Sequence, residues 1–503
     1  MSSEKLASAD AADMGLFWGC WIALVATSFG FVTRGLTASE WGAEFGLTDT
    51  QIGEILGAGL WPFAISIILF SLVIDKIGYR VAMLFGLACH LLSTAIILSA
   101  DSYNMMYAGT FVLALGCGTV EAYINPVVTT MFSNSKAKML NVLHAGWPAG
   151  LVLGGLIAIS LGDVHWKIKL GLILIPTAVY AVMLLNKQFP VNERVAAGIS
   201  YKDMLGEVGA VGALIAVTLI VMEVGRLFQF TLPLTIGLIV GATAIYAFYC
   251  RSVGKPLFIL MLLIMMPLAT TELGVDGWIT SLMAASMEDV GVAAGWVLVY
   301  TSAIMAVLRF FFAGRLIDML TPFGLLALCS LISAAGLYAL AGASGAGMIL
   351  VAATVYGVGK TFFWPTTLGI VAEQFPRGGA LTLNSVAGVG MLAVGIVGSA
   401  FLGNIQDRAI SAEILSISPE VHTAYVSRTE QSIFGSYKAV DRAAVAAASE
   451  LDKAIIAEAQ QIAPKKALTT AALLPMGMLV CYLILIAYFK SRGGYKAVDI
   501  DDY

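Results

Sequence analysis

Charge is what this chain has least of. Asp, Glu, Lys and Arg make up 12% of its 503 residues, where soluble domains carry roughly 25%. With 59% hydrophobic residues and a mean hydropathy of +0.89, the chain has too little polar surface to clothe a water-soluble domain and reads as a membrane protein. No basic block stands out and the formal net charge is −4, so nothing here would neutralise a phosphate backbone, and a nucleic-acid partner is excluded. Six cysteines (Cys20, Cys89, Cys117, Cys250, Cys329, Cys481) fall singly inside apolar runs. Without paired spacing they suggest buried thiols rather than a disulfide framework or a metal site. The four histidines, His90, His144, His165 and His422, are scattered, and no metal or nucleophile set of an enzyme is recognisable. MSSEKLASADAADMG at the start has no basic region or cleavage site of a leader peptide, so the first apolar run is expected to act as its own insertion signal.

What the chain has in quantity is apolar sequence. A span takes about 20 mostly apolar residues, and fourteen runs qualify. Six lie near 15–33, 52–74, 80–99, 104–131, 141–161 and 168–185, two near 208–226 and 232–250, and six near 257–283, 291–313, 322–342, 347–372, 380–404 and 469–489. The expected fold class is an all-α polytopic membrane protein. Lys76, Arg80, Lys136, Lys138, Lys187, Arg194, Lys202, Arg251, Lys255, Arg315, Arg377, Lys490 and Arg492 gather in one set of connections. The opposite short connections hold few, such as Arg34, Lys167 and Lys169. Basic loops stay cytoplasmic, so both termini are expected on that side of a cell (inner) membrane, as an even number of spans requires.

The first six and last six runs echo each other. GCGTVEAYINP (Gly116 to Pro126) in the fourth run has a counterpart in GVGKTFFWP (Gly357 to Pro365), and the runs that follow are glycine-dense at 146–155 and 388–399. SLVIDKIGYR (71–80) corresponds in place to GRLIDMLTPFG (314–324). Repeats of this kind rock against each other around a site near the midplane. The expected organisation is a six-helix bundle over 1–187, a linker with two additional spans over 188–255, and a second six-helix bundle over 256–490. That second bundle carries a long outer-side loop, partly helical, at 405–468, and a cytoplasmic tail follows at 491–503.

Over nearly the whole chain this plan resembles the major facilitator superfamily; the inserted spans at 208–250 and the segment 405–468 fall outside the resemblance. The family's Gly-x-Leu-x-Asp is intact at Gly314, Leu316 and Asp318. Its first copy has Ser71 for Gly, Lys76 for Arg, and Arg80 one place late. Spans four and five resemble the fucose:proton symporter branch and its glucose/galactose relatives. Glu-x-x-x-Asn-Pro is present as Glu121, Asn125 and Pro126, followed by Leu140, Asn141 and Gly150. Glu272 and Trp278 in TELGVDGW resemble that branch's Glu…Trp pattern, and Trp364-Pro365-Thr366 its aromatic-Pro-Thr. Its aspartate near the end of span one has no counterpart in FVTRGLT (31–37), and its polar pair in span five is replaced by His144 and Trp147. The resemblance implies transport of a monosaccharide, a hexose or deoxyhexose, with Glu121 as a substrate- and proton-linked carboxylate. It also implies a conformational latch at the cytoplasmic turns with Asp75, Arg80, Arg315 and Asp318.

The residues also speak for themselves. An ionised side chain at span centre costs roughly 2.5–3.5 kcal/mol, so those that persist there face a cavity or pair with one another. Glu121 is suited to taking up a proton inside a cavity, or to a structural pair between helices. Asn125 lies one turn on, on the same face; its amide suits hydroxyl ligands or heals the backbone near Pro126. His144 and Trp147 share a face, the imidazole as relay or hydroxyl ligand and the indole as a platform for a sugar ring. Glu272 and Asp276, four apart, would repel if both were ionised, so one is expected protonated or paired. Lys360 is a candidate partner for Glu121 or Glu272, Trp364 follows it by one turn, and Asn384 is a candidate hydroxyl ligand. Arg309 is expected near the basic turn as a snorkelling or gating residue, and Glu223 with Arg226 as a local pair. GVGKT lacks the first glycine and the preceding strand of a phosphate-binding loop. The stretch 431–466 reads as one amphipathic helix.

The expected function is secondary active transport of a monosaccharide by alternating access, by proton symport with sodium as the alternative coupling ion. No cofactor and no metal is expected, the partners are the sugar and the lipid bilayer, and the carrier is expected to be monomeric. A carrier of another small polar solute or an efflux pump is the alternative within transport, and a membrane sensor or receptor the alternative outside it.

Overall fold

A chain so poor in charge must satisfy its backbone internally, and helices do so within each segment. The computed structural model describes residues 13–47, 49–277, 279, 283, 287, 291, 295–432 and 435–501. Among them thirteen helices are long and apolar enough to cross a bilayer, and a bent pair makes a fourteenth crossing. The first six are α1 (Met14–Leu36), α2 (Gln51–Ile77), α3 (Tyr79–Ser99), α4 (Tyr103–Met131), α5 (Ser133–Ser160) and α6 (Trp166–Leu184). An inserted pair follows, α7 (Tyr201–Leu227) and α8 (Leu232–Cys250). The rest are α9 (Pro256–Gly277), α10 (Gly295–Phe311, continued at 68° by Ala313–Leu320), α11 (Pro322–Gly342), α12 (Ala346–Gln374), α13 (Pro376–Ile417) and α14 (Glu450–Ser491). These match the fourteen runs read from hydropathy.

Burial sorts the helices into an inner and an outer ring. In α4, 83% of the apolar window is buried, whereas in α8 none is. The side chains of α8 turn to lipid, with Leu232 71% and Phe248 79% exposed. Only a lipid environment makes such a helix stable, because it buries little against protein.

The inserted pair is fastened through a break in α7. Gly209 takes φ 65° and ψ −177°, which frees the N–H groups of the next residues. Ala210 and Val211 donate instead to the carbonyls of Ser252 and Val253, at 2.8 and 3.1 Å, so the link after α8 heals the broken helix. A Cβ on Gly209 would lie 2.0 Å from the Gly254 nitrogen.

The first and last described residues, Asp13 and Asp501, lie toward one face, called here the basic face. Lys187 pairs with Asp13 at 2.8 Å, and this hydrogen-bonded ammonium holds the Asp13 carboxyl below the usual carboxylate range. The C-terminal tail is tied to the end of α12, where Val498 N–H donates to the Glu373 carbonyl at 2.8 Å and Tyr495 donates to its carboxylate at 2.7 Å.

On the opposite face α13 and α14 run on past the bundle and pack together around a core of their own, with Ile410, Ile414, Val421, Ile456 and Ala463. Here one expectation is corrected. The stretch 431–466 is not a single helix: β1 (Arg428–Ser432) and β2 (Gly435–Ala439) form an antiparallel hairpin, with Glu430 opposite Tyr437. A short helix, Arg442–Ala446, follows, and α14 begins only at Glu450. Its start is set by Ser449, whose Oγ accepts from Asp452 N–H at 3.1 Å, as Asp441 caps the short helix before it by accepting from Ala444 N–H at 3.2 Å.

Replacing Gly209 by Ala should destabilise the protein by roughly 2–3 kcal/mol, through the left-handed backbone and the clash together. Gly237→Ala in α8, where a Cβ meets nothing within 4 Å, should be neutral or stabilise by up to about 1 kcal/mol. Thermal unfolding of the two purified variants in detergent measures the contrast, and equal midpoints would refute this account of the break.

Candidate functional site

Prolines inside two helices organise the centre of the molecule. Pro126 in α4 has no N–H and leaves the Ala122 carbonyl without its helical donor. Asn384 of α13 supplies one, its Nδ2 donating to that carbonyl at 2.9 Å. Pro365 in α12 frees the Thr361 carbonyl in the same way, and Nε of Arg309 donates to it at 2.5 Å. Helix α12 restarts at Phe363, and its exposed Trp364 N–H donates to Glu272 Oε2 at 3.1 Å, a carboxylate at a helix N-terminus. Glu272 reaches there from a π-helical turn of α9, Thr270–Gly274. Such turns shift the register of the side chains that follow.

Around these prolines lies a small cavity between the halves. The first half contributes Phe63, Glu121, His144 and Trp147; the second contributes Glu272, Leu273, Arg309, Trp364 and Met391. Among the described residues Glu121 makes no ion pair. Its Oε2 accepts from Asn125 Nδ2 at 2.8 Å, and Asn125 Oδ1 lies 2.8 Å from His144 Nε2. An amide oxygen only accepts, so the imidazole donates from Nε2 in this arrangement. A polar relay thus runs from Glu121 through Asn125 to His144.

Arg309, 1% exposed, is the hub of the other wall. Its NH2 nitrogen donates to Glu272 Oε1 at 2.7 Å and its NH1 nitrogen to the His144 carbonyl at 3.0 Å, across the halves. Behind this wall Lys360 pairs with Asp276 and lies 4.9 Å from the centre of the Tyr356 ring.

Of the residues singled out in the sequence, Glu121, His144, Trp147, Glu272 and Trp364 line the cavity together. Asn125 stands one layer behind, joining two of them. Lys360 is corrected: its carboxylate is Asp276, not Glu121 or Glu272, and both Glu272 and Asp276 are paired. Asn384 does not line the cavity: its Nδ2 serves the carbonyl that Pro126 frees, and its Oδ1 is buried with no hydrogen-bond partner among the described residues. Trp278 lies outside the described residues. Arg309 is corrected from the basic turn to the cavity wall; its reach inward has no sequence signal beyond an arginine inside an apolar run. Glu223 and Arg226 pair locally at 2.7 Å.

At the basic face, Asp75 pairs with Arg194 at 2.6 Å and Asp318 with Lys138 at 2.6 Å. Arg80 and Arg315 are exposed and pair with neither aspartate. The Lys138–Asp318 pair joins the two halves. Beside it α5 and α12 nearly touch, because a Cβ on Gly369 would lie 2.5 Å from the Ala137 Cα. At the opposite face α5 meets α10, where a Cβ on Gly155 would lie 2.6 Å from Val299. The two halves therefore touch near both faces.

The fold matches several solved transporters. The E. coli fucose:proton symporter superposes with a TM-score of 0.57 at 15% identity, over 94% of this chain and 99% of that one. The proton:xylose symporter XylE, with 6-bromo-6-deoxy-D-glucose bound, gives 0.59 at 11% identity over 95% of each. The human organic anion transporter TETRAN gives 0.59 at 11% identity, over 94% and 99%. At such identities the likeness concerns the fold alone. No curated protein matches the chain in sequence. The sequence model of the Major Facilitator Superfamily, however, matches residues 20–399, and with that span, fourteen crossings and a polar cavity between its halves, the chain belongs to this family of transporters.

Proposed function

We propose that the protein moves a monosaccharide, a hexose or deoxyhexose, across a cell membrane by alternating access and in symport with protons. The observation that carries the coupling is the state of the three carboxylates buried between the halves. Glu272 has Arg309 and Asp276 has Lys360, whereas Glu121 has only the neutral amide of Asn125. A carboxylate locked to a guanidinium has little use for a proton. One held by an amide beside a cavity can take a proton from one side and release it to the other. Trp147 and Trp364 on opposite walls offer apolar platforms for a pyranose ring, and Glu121, His144 and Glu272 offer hydrogen bonds to its hydroxyls. The names of two structural neighbours, carriers of fucose and xylose, support the same cargo, as does Glu-x-x-x-Asn-Pro at Glu121, Asn125 and Pro126.

In this reading 1–187 and 256–490 are the rocking units, 188–255 a linker with its two added helices, and 491–503 a tail. The basic face is cytoplasmic, both termini lie there, the coupling ion is H+, and the carrier works as a monomer with no other cofactor. Asp75 with Arg194 and Asp318 with Lys138 latch the basic face, with Arg80 and Arg315 as surrounding positive charge.

Sugar uptake into proteoliposomes under an imposed inward proton gradient tests the coupling. Glu121→Gln should reduce gradient-driven accumulation at least about tenfold, a typical loss for a proton-transfer group, and leave sugar exchange in place. Accumulation unchanged in the variant, or driven by sodium instead, would remove Glu121 from the coupling; no uptake of any sugar would sink the cargo.

The Lys138–Asp318 pair is partly exposed and worth about 0–1 kcal/mol. Lys138→Glu should therefore change the uptake rate only severalfold, and the exchange Lys138→Asp with Asp318→Lys should restore it. A rate lost and not restored by the exchange would show that the pair is no latch.

A further inference from the structure

Among the described residues six cationic side chains are buried: Arg34, Lys136, Lys169, Arg194, Arg309 and Lys360. Five of them have a carboxylate. Lys136 pairs with Glu193, Lys169 with Glu40, Arg194 with Asp75, Arg309 with Glu272 and Lys360 with Asp276. Arg34, 3% exposed, makes no ion pair among the described residues, and its Nε is buried with no hydrogen-bond partner. The sequence placed it in an outer connection; the structure draws it into the interior, in the last turn of α1.

Room has been made for it. Arg34 packs against the break in α2, where a Cβ on Gly59 would lie 2.1 Å from a terminal guanidinium nitrogen, so no larger residue fits there without displacing the charge. Arg34 lines a second small space, together with Thr27, Gly59 and Cys117. Phe63, Trp147 and Met391 belong to the walls of both spaces, so the two are immediate neighbours.

A buried guanidinium without a counter-ion is costly, and proteins keep one where a ligand supplies the missing charge. No second cation lines this space, which suits one negative charge and disfavours a dianionic phosphate. We propose that Arg34 is the anchor for a carboxylate on the transported solute, so that the cargo is an acidic monosaccharide, a hexuronate or aldonate, rather than a neutral hexose. The inference rests on the monosaccharide reading above and replaces its neutral hexose with an acidic sugar. Arg34 fixes the carboxylate by a two-pronged hydrogen bond while the ring and hydroxyls occupy the space between Trp147 and Trp364.

The test is thermal unfolding of the full-length protein in detergent with sodium D-galacturonate, set against D-galactose plus sodium chloride at equal ionic strength. Uptake of both sugars into proteoliposomes is measured in parallel. Galacturonate should raise the midpoint and be taken up, with galactose roughly tenfold or more weaker, the weight of a charge-assisted contact. Arg34→Met should leave the midpoint of the empty protein unchanged or higher, since it removes an unpaired buried charge, and should abolish the galacturonate shift. Arg34→Lys should retain a reduced shift. Equal response to both sugars, untouched by Arg34→Met, would overturn the inference and leave sugar transport standing. A shift as large with sodium chloride alone would reduce the site to a simple anion site and overturn it too. Response to neither sugar would overturn this inference together with the monosaccharide reading.

Discussion

The centre of the molecule depends on one guanidinium. Arg309 meets the carbonyl freed by Pro365, the carboxylate of Glu272 and the carbonyl of His144 on the opposite half. Each acceptor would be an unsatisfied polar group inside a membrane protein if the arginine were absent, and such groups are expensive where water is excluded. The break in α12 is what makes the arrangement possible. A continuous helix would have no spare carbonyl at Thr361 and no free N–H at Trp364, so neither Arg309 nor Glu272 would find its partner. The first half solves the same problem at Pro126 by borrowing Asn384 from α13. Carbonyls freed by prolines at matching places in the two halves are thus satisfied by side chains from elsewhere, and the cavity lies between them.

This explains which parts were legible in the sequence. Spans were read well because lipid imposes length and composition directly on each helix. Glu121, Asn125, His144 and Trp147 were found because local spacing puts them on shared faces and depth makes them conspicuous. Pairings were not legible. Lys360 is 84 residues from Asp276 and Arg309 is 37 from Glu272, and nothing in a hydropathy profile says which charge meets which. Arg34 and Arg309 were placed by their rank in an apolar run, close to its end, although a long side chain there can turn inward as readily as outward. Asn384 looked like a ligand because its partner is a backbone carbonyl, invisible in sequence until Pro126 is matched with the residue four before it.

The near-repeat GSYKAVD and GGYKAVD makes the same point in the other direction. The first copy forms β2 of the hairpin, while the second runs as irregular chain beneath α12. Local propensity therefore does not fix either conformation. What the copies share is the tyrosine, whose hydroxyl donates to Asp407 at 3.0 Å in one and to Glu373 at 2.7 Å in the other. The same short stretch works as a clasp on opposite faces of the membrane bundle, once holding the projecting module to α13 and once holding the tail to α12.

The distribution of strong and weak contacts bears on motion. The buried ion pairs Arg309–Glu272 and Lys360–Asp276 lie wholly within the second half, and the Glu121–Asn125–His144 relay wholly within the first. Contacts that cross between halves are single hydrogen bonds or exposed: Asn384 to the Ala122 carbonyl, Asn141 to the Thr366 hydroxyl at 3.2 Å, Ala137 N–H to the Glu373 carboxylate at 3.2 Å, Arg309 to the His144 carbonyl, and the exposed Lys138–Asp318 pair. Neutral hydrogen bonds contribute about 0.5–1.5 kcal/mol net, those with a charged partner about 1.5–3 kcal/mol, and exposed ion pairs about 0–1 kcal/mol, whereas breaking one side of a buried pair costs roughly 3–5 kcal/mol. In alternating access, a solute passes from one face to the other only as the cross-half contacts on one side open and those on the other close. The sequence places its expensive interactions where the halves stay rigid and its cheap ones where they must part. Closure of one face can then be exchanged for closure of the other without unmaking either half.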